Sequence, residues 1–253
     1  MTITSVIQQK GGVGKSTTAQ AIGAYYASQG KKVLLVDLDS QRNLTLAVGK
    51  EGELSSFDIL LHPEKSSEAV VLVRDKLYII PAAPELAGAE AALAEIKVGR
   101  EYRLKEALSR LDWYDHIVID TPPALSILTI NALTASDRIV VPAQADVFSL
   151  AAIQDIAGTI GTVQKYTNPK LTVSGILLTR YNNRPRLTKD LTEIMQRMAE
   201  ALGTRVFSTK IREAVAIREA QAMKQDIFSY APESKVTADY MAFCKELDED
   251  LQK

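Results

Sequence analysis

Short apolar runs alternate along the 253-residue chain with stretches whose apolar residues recur at helical spacing. ITSVIQ (3–8), KKVLLVDLD (31–39), KLYIIPA (76–82), DHIVIDTPP (115–123), DRIVVPA (137–143) and LTVSGILLTRY (171–181) read as strands. Helices are predicted from about Ser16 to Ser28, Ala87 to Ile96, Glu101 to Leu111, Ile127 to Ala135, Ser149 to Tyr166 and Leu187 to Leu202. A last helix runs on from about Ser234. The strand runs are continuous in Val, Ile and Leu rather than alternating, as expected of strands covered on both faces. With helices between them, they predict an α/β fold: a doubly wound, mostly parallel sheet with helices on both faces. No repeat and no long Gly/Ser linker breaks the pattern. One domain over residues 1–253 is therefore expected, with Gly49 to Ser67 as a polar surface excursion.

Doubly wound sheets bind ligands at the carboxyl ends of their strands, and three of these strands end in reactive residues. After the first comes QQKGGVGKSTT, residues 8–18. It approaches the phosphate-loop pattern G-x-x-x-x-G-K-[ST], with Gln9 in the first glycine slot and an additional lysine, Lys10. Gly11, Gly12, Val13 and Gly14 would turn backbone N–H groups toward phosphate oxygens, aided by the positive end of the next helix. Lys15 would reach the β- and γ-phosphates, the Ser16 hydroxyl would ligate Mg²⁺, and Thr17 would donate to the α-phosphate. Asp120 ends its strand where such proteins hold Mg²⁺ through water. Asp37 and Asp39, two apart at another strand end, share a face. One would contact a Mg²⁺-bound water and the other would orient the attacking water. No N-K-x-D sequence for reading guanine occurs, so ATP is the expected nucleotide.

Composition narrows the class. The chain is 46% hydrophobic and 24% charged, ordinary for a globular protein. A single cysteine, Cys244, excludes an internal disulfide framework and a four-cysteine metal site within one chain. Neither a signal peptide nor a run near the ~18 apolar residues of a membrane span is visible, so a cytoplasmic location is expected. The net charge of −1 is unevenly spread. Residues 179–224 hold ten basic and five acidic side chains, a local +5 that leaves −6 for the remainder. Such asymmetry suggests a local anionic partner, although charge alone favours a solvated helical face.

The motifs together carry a resemblance. Lys10-Gly11-Gly12-Val13-Gly14-Lys15-Ser16-Thr17-Thr18 resembles the deviant Walker A motif of the ParA/MinD family of P-loop ATPases. VLLVDLDSQRN is similar to its Walker A′ motif, with Ser40 where proline is usual, and YDHIVIDTPP to its Walker B. ALSILTINALTASDRIVVPAQADVFSL, IREAVAIREAQA and IFSYAPESKVTADYMAF resemble later landmarks of ParA proteins, so the likeness spans essentially the whole chain. It implies an ATPase in which Lys10 reaches across an ATP-bound sandwich homodimer to the partner's phosphates, acting in trans as an arginine finger does. Asp39 would orient the water and Asp120 would support Mg²⁺. The usual Asn before the loop is Gln8 here.

The resemblance also implies a function: positioning plasmid, chromosomal DNA or a protein cargo by ATP-gated, sequence-independent DNA binding on the nucleoid. A ParB-like or cargo adaptor partner would stimulate hydrolysis. Arg212 and Arg218 are the first candidates for the DNA surface, followed by Arg180, Arg184, Arg186 and Lys189. The loop begins at residue 8, so no N-terminal helix-turn-helix is expected. MinD-like membrane attachment is disfavoured, because the final helix pairs an apolar stripe (Val236, Tyr240, Phe243, Leu247, Leu251) with acids (Asp239, Glu246, Asp248, Glu249, Asp250) that anionic lipid repels. A metabolic P-loop enzyme acting on a small molecule is the alternative class.

Overall fold

The computed structural model describes residues 1–182, 186–201 and 203–249, the side chains of 186–189 and 201 excepted. Among the described residues, eight strands form one sheet in the order β3-β4-β2-β5-β1-β6-β7-β8. They are β1 (Thr2–Val6), β2 (Val33–Asp37), β3 (Val71–Arg74), β4 (Leu77–Ile80), β5 (His116–Asp120), β6 (Arg138–Ala143), β7 (Thr172–Tyr181) and β8 (Val206–Arg212). Every pairing is parallel except β3 with β4. The helices are α1 (Lys15–Ser28), α2 (Asn43–Val48), α3 (Ser56–Leu61), α4 (Ala89–Ala94), α5 (Arg103–Ser109), α6 (Ile127–Ala135), α7 (Val147–Tyr166), α8 (Arg186–Ala201), α9 (Val215–Ala222), α10 (Ile227–Tyr230) and α11 (Lys235–Asp248).

The period of two along a strand explains why both faces need cover. Val33 and Leu35 of β2 pack with α1, α10 and α11 on one face. Leu34 and Val36, the residues between them, pack with α3 to α6 on the other. On that second face, β6 and β7 pack beneath α7 and α8. This is the expected doubly wound architecture.

Three local expectations change. Gly49 to Ser67 is not a surface excursion: it contains α3, whose Ile59 and Leu60 are fully buried. The antiparallel edge strand β3 lies in the apolar run AVVLV (69–73), which is not among the predicted strands, and the opposite edge β8 has no such run. β8 buries only Phe207 and Ile211, because one of its faces is largely turned to solvent.

The free edge of β8 is covered by α11. Backbone N–H groups of Ser208 and Thr209 donate to the Glu246 carboxylate at 2.7 and 2.9 Å, and that of Arg212 donates to Asp239 at 3.1 Å. An unpaired edge is a template for unwanted strand addition, and these carboxylates occupy it. The acids of the last helix are thus partly internal fastenings rather than a purely solvated face. Its stripe residues Val236, Tyr240, Phe243 and Leu247 are buried core. Asp250 and Leu251 lie outside the described residues.

Candidate functional site

The sheet order places β5 between β2 and β1, so the three strand ends singled out by sequence meet. Asp37 stands in register with Asp120, and Asp120 with Val6, the last residue before the loop. The loop itself depends on glycine at two places. Gly12 and Gly14 adopt φ of +74° and +88°, in the left-handed region that other residues enter only with strain. Val13, fully buried between them, anchors the loop: its carbonyl accepts from the Thr179 hydroxyl of β7 at 2.8 Å. The loop therefore encloses the start of a cleft of about 560 Å³. Gly11 to Thr17, Asp39, Pro123 and Thr179 line it, with α2 on one side and α9 on another.

The charges at this cleft are unevenly satisfied. Asp37 is fully buried and well bonded: Oδ2 accepts from the Thr45 backbone N–H at 2.8 Å and its hydroxyl at 2.7 Å, and Oδ1 from the Asp39 N–H at 3.1 Å. Burial nonetheless raises its pKa to about 6, against the pull of Thr45. Asp37 is not among the cleft-lining residues. Through these bonds it ties the Asp39 backbone and α2 to the end of β2, in register with Asp120. Asp39 does line the cleft, and its Oδ1 accepts from the Gln41 N–H at 2.9 Å.

Asp120 is the contrasting case. It is fully buried, and among the described residues neither carboxylate oxygen completes a hydrogen bond, although the Ser16 hydroxyl lies close enough to act on it. Burial drives its pKa well above the ordinary value, Asp37 drives it further, and Ser16 and Lys15 pull it back. Lys15, itself only 8% exposed, is pushed down by burial, with Asp120 and Asp39 opposing that shift. A buried carboxylate without partners is costly unless a cation completes it. Beside the Ser16 hydroxyl, this donor set fits one Mg²⁺, a hard cation that takes few protein oxygens and keeps water and phosphate as its other ligands. Among the described residues no group of three or more His, Cys, Asp or Glu side chains is arranged to hold a metal unaided.

Lys10 is placed differently from Lys15. Its ammonium is ion-paired with Asp146, the N-cap of α7, and donates to Gln144 Oε1 at 3.0 Å. Burial pushes the Asp146 carboxyl up, but Lys10 and the Ser149 N–H outweigh it and hold it below its ordinary value. Gln8, in the slot where the resembled family has Asn, is fully buried. Its Oε1 accepts from the Gln9 N–H at 2.9 Å, while its Nε2 has no partner among the described residues.

The arginines expected to contact DNA part company. Arg180, Arg212 and Arg218 all line the phosphate-loop cleft. Arg212 is clamped in two-pronged fashion to Asp239 at 2.6 and 2.7 Å. No partner is found for Arg180 or Arg218 among the described residues. Arg180 holds a left-handed φ of 47° at the end of β7. Arg184 lies outside the described residues, as do the side chains of Arg186 and Lys189.

One wall escaped sequence reading. Ala214, Ile217, Arg218 and Gln221 turn the same edge of α9 into the cleft, and the Gln221 Nε2 donates to the Thr17 hydroxyl at 3.1 Å. Their spacing of three, four and seven residues was the available signal. Tyr240, expected as core, is buried and also reaches the cleft.

Comparison with known proteins then decides the family. A family model described as an AAA domain matches residues 1–173. The sporulation initiation inhibitor protein Soj of Bacillus subtilis is 38% identical over 250 residues, covering 97% of both chains. The chain belongs to the ParA family. A second family member, the chromosome-partitioning ATPase Soj of Thermus thermophilus, is 36% identical over 249 residues, covering 98% of this chain and 96% of its own. A solved structure named cobyrinic acid a,c-diamide synthase, from Mycobacterium smegmatis with a bound ATP analog and magnesium, is 34% identical. It superposes with a TM-score of 0.85 over 100% of this chain and 96% of that one.

Proposed function

We propose that this protein is an Mg²⁺-dependent ATPase of the partition and positioning type. Its ATP-bound homodimer would hold DNA without regard to sequence and release it on hydrolysis stimulated by a ParB-like or cargo adaptor partner. The observation that carries the proposal is Asp120, buried without a completed hydrogen bond among the described residues, beside Lys15 and Ser16 at the mouth of a glycine loop. The relatives named for chromosome partitioning, alike over nearly the full chain, support the cellular role. Among the described residues no helix is long and apolar enough to cross a membrane.

In this reading the loop N–H groups and Lys15 bind the phosphates. Ser16 and Asp120 would hold Mg²⁺, which would supply neutralisation of phosphate charge. Asp39 orients water from the strand end. Lys10 leaves Asp146 and crosses to the second copy's nucleotide. A lysine supplied in trans makes turnover conditional on pairing, because one chain alone lacks that cation at the developing charge. Arg218, with Arg180 and the 186–189 segment, would contribute phosphate contacts to DNA. Pairing two copies doubles those contacts and steepens the salt dependence.

A gel-shift titration on two unrelated duplexes, at two salt concentrations and with ATP or ADP, tests this. Tight binding of both duplexes with ATP, collapsing at higher salt, is the expected result. Equal affinity with both nucleotides removes the switch, and strong preference for one duplex removes the sequence-independent reading. The relative named as a cobyrinic acid diamide synthase favours a second reading, an ATP-dependent enzyme acting on a small carboxylic acid. Under that reading no DNA binding appears with either nucleotide.

A further inference from the structure

Helix α9 is fastened to the phosphate loop by one polar contact, Gln221 to Thr17, and the fastening has a direction. Gln221 Nε2 donates and the Thr17 oxygen accepts, at 3.1 Å. A hydroxyl has one proton to give and two lone pairs to receive with. Gln221 occupies a lone pair, so the Thr17 proton stays available for an acceptor in the cleft. Donation of that proton to a phosphate oxygen makes the hydroxyl oxygen a stronger acceptor, and bonds in such a chain reinforce one another. Nucleotide at the loop should therefore tighten α9 against α1.

The surroundings make α9 a lever rather than a passive wall. Its Ala220 is buried beneath it, and Lys224, just past its end, packs onto Gly49 at the end of α2 so closely that an added Cβ there would collide with the Lys224 side chain. α2 in turn is tied through Thr45 to Asp37. Before α9, the Arg212–Asp239 pair fixes the end of β8 to α11. The helix is thus pinned at its start to the sheet edge and at its end to both nucleotide-site helices. One turn before Gln221 stands Arg218, without a partner among the described residues.

We propose that Gln221 is a positioning residue: it orients the Thr17 hydroxyl toward the nucleotide and passes occupancy of the loop to α9, and through it to Arg218. The inference rests on reading the cleft as an ATP site, and its last consequence on reading Arg218 as a DNA contact. Loss of the amide donor then uncouples α9 from the loop while the glycine backbone and Lys15 still hold phosphate.

Hydrogen exchange of the full-length protein, with and without Mg²⁺ and ATP, tests the proposal. In the unsubstituted protein, nucleotide should slow exchange both in the loop, residues 11–18, and in α9, by roughly tenfold or more in each. Gln221→Met, of similar length but without a donor, should keep the loop response and lose that of α9. Gln221→Glu, which lacks the amide donor at neutral pH, is the second variant should the first fail to fold. An α9 response that survives in a folded variant overturns the proposal, as does its absence from the unsubstituted protein while the loop responds. If neither segment responds in the unsubstituted protein, the ATP reading falls and takes the proposal with it. A companion gel shift compares DNA affinity with ATP and ADP: the ratio should fall to within about threefold of one in the variant. No ratio in the unsubstituted protein, with the exchange result intact, overturns the DNA reading and leaves the coupling standing.

Discussion

Lys10 and Asp146 are held together across 136 positions of sequence, so the first lysine of the glycine motif is bound to the cap of α7 and not to its own loop. The pair is partly exposed, at 24% and 30% of the two side chains. It must break before Lys10 can serve a second copy. Asp146→Asn keeps the helix cap, since Asn caps as well as Asp, and removes the charge. An exposed pair of this kind is worth up to about 1 kcal/mol and a dimer breaks two, one per copy, so ATP-dependent dimerisation should strengthen by up to roughly thirtyfold. Lys10→Ala should retain nucleotide binding and lose stimulated hydrolysis by about a thousandfold or more. Analytical ultracentrifugation and a phosphate-release assay check the two; full stimulated turnover in Lys10→Ala would exclude the trans role.

Asp39 and Asp120 should fail in different ways. Asp39 faces the cleft, and Asp39→Ala should bind ATP, accumulate as a dimer on size-exclusion chromatography and hydrolyse about a hundredfold more slowly or worse. A variant that stays monomeric with ATP and Mg²⁺ counts against the assignment.

Asp120→Asn removes a buried charge that completes no hydrogen bond among the described residues. The nucleotide-free protein should become more stable at neutral pH by about 1 kcal/mol, while stabilisation by Mg²⁺ and ATP is lost. Thermal melts with and without Mg²⁺-ATP read both effects, and a destabilised nucleotide-free variant would show that Asp120 has a structural partner.

Arg212 and Arg218 are six residues apart in one basic stretch and should behave unlike each other. Arg212 is committed to Asp239, so Arg212→Ala should loosen the β8–α11 edge and lower the melting temperature with little direct effect on DNA. Arg218→Ala should leave the fold alone and reduce the slope of log affinity against log salt by about 1 for each phosphate it no longer neutralises. The same slope in Arg218→Ala as in the unsubstituted protein would remove it from the DNA surface.

His116 supplies a pH dependence remote from the cleft. It stacks on Tyr26 with ring centroids 3.8 Å apart, and its Nδ1 is buried without a partner among the described residues. Burial, then Arg138, lowers its pKa to about 4 from 6.5, with Asp248 and Asp115 opposing. The unfolded chain therefore binds this proton at higher pH than the folded one, and stability falls as pH drops from 6.5 toward 4. After allowance for partial screening the loss is about 2 kcal/mol. Urea unfolding at pH 7 and pH 5 should show about 1 kcal/mol of it, and His116→Phe should flatten it; an unchanged pH dependence in the variant assigns the effect elsewhere.

The sequence by itself determined the central strands, the alternation that buries both sheet faces, the glycine loop and the three acids at strand ends. These are local facts: continuous Val/Ile/Leu runs, glycine where φ must be positive, and carboxylates one strand-length from an apolar start. The edge β8 was less legible because an edge strand meets protein on fewer sides and carries a weaker apolar pattern, while β3 lies in AVVLV (69–73), a run too short for periodicity alone to assign. Only the tertiary structure decided which carboxylate is spent and which is open. Asp37 and Asp39 look interchangeable in VLLVDLDSQ, yet Thr45, brought back by α2, consumes Asp37. Likewise Arg212 and Arg218 carry the same charge in IREAVAIREAQ, and Asp239, on a helix that comes later in the chain, immobilises one of them. Charge and spacing are properties of a segment; whether a polar group has a partner depends on what the rest of the chain folds against it.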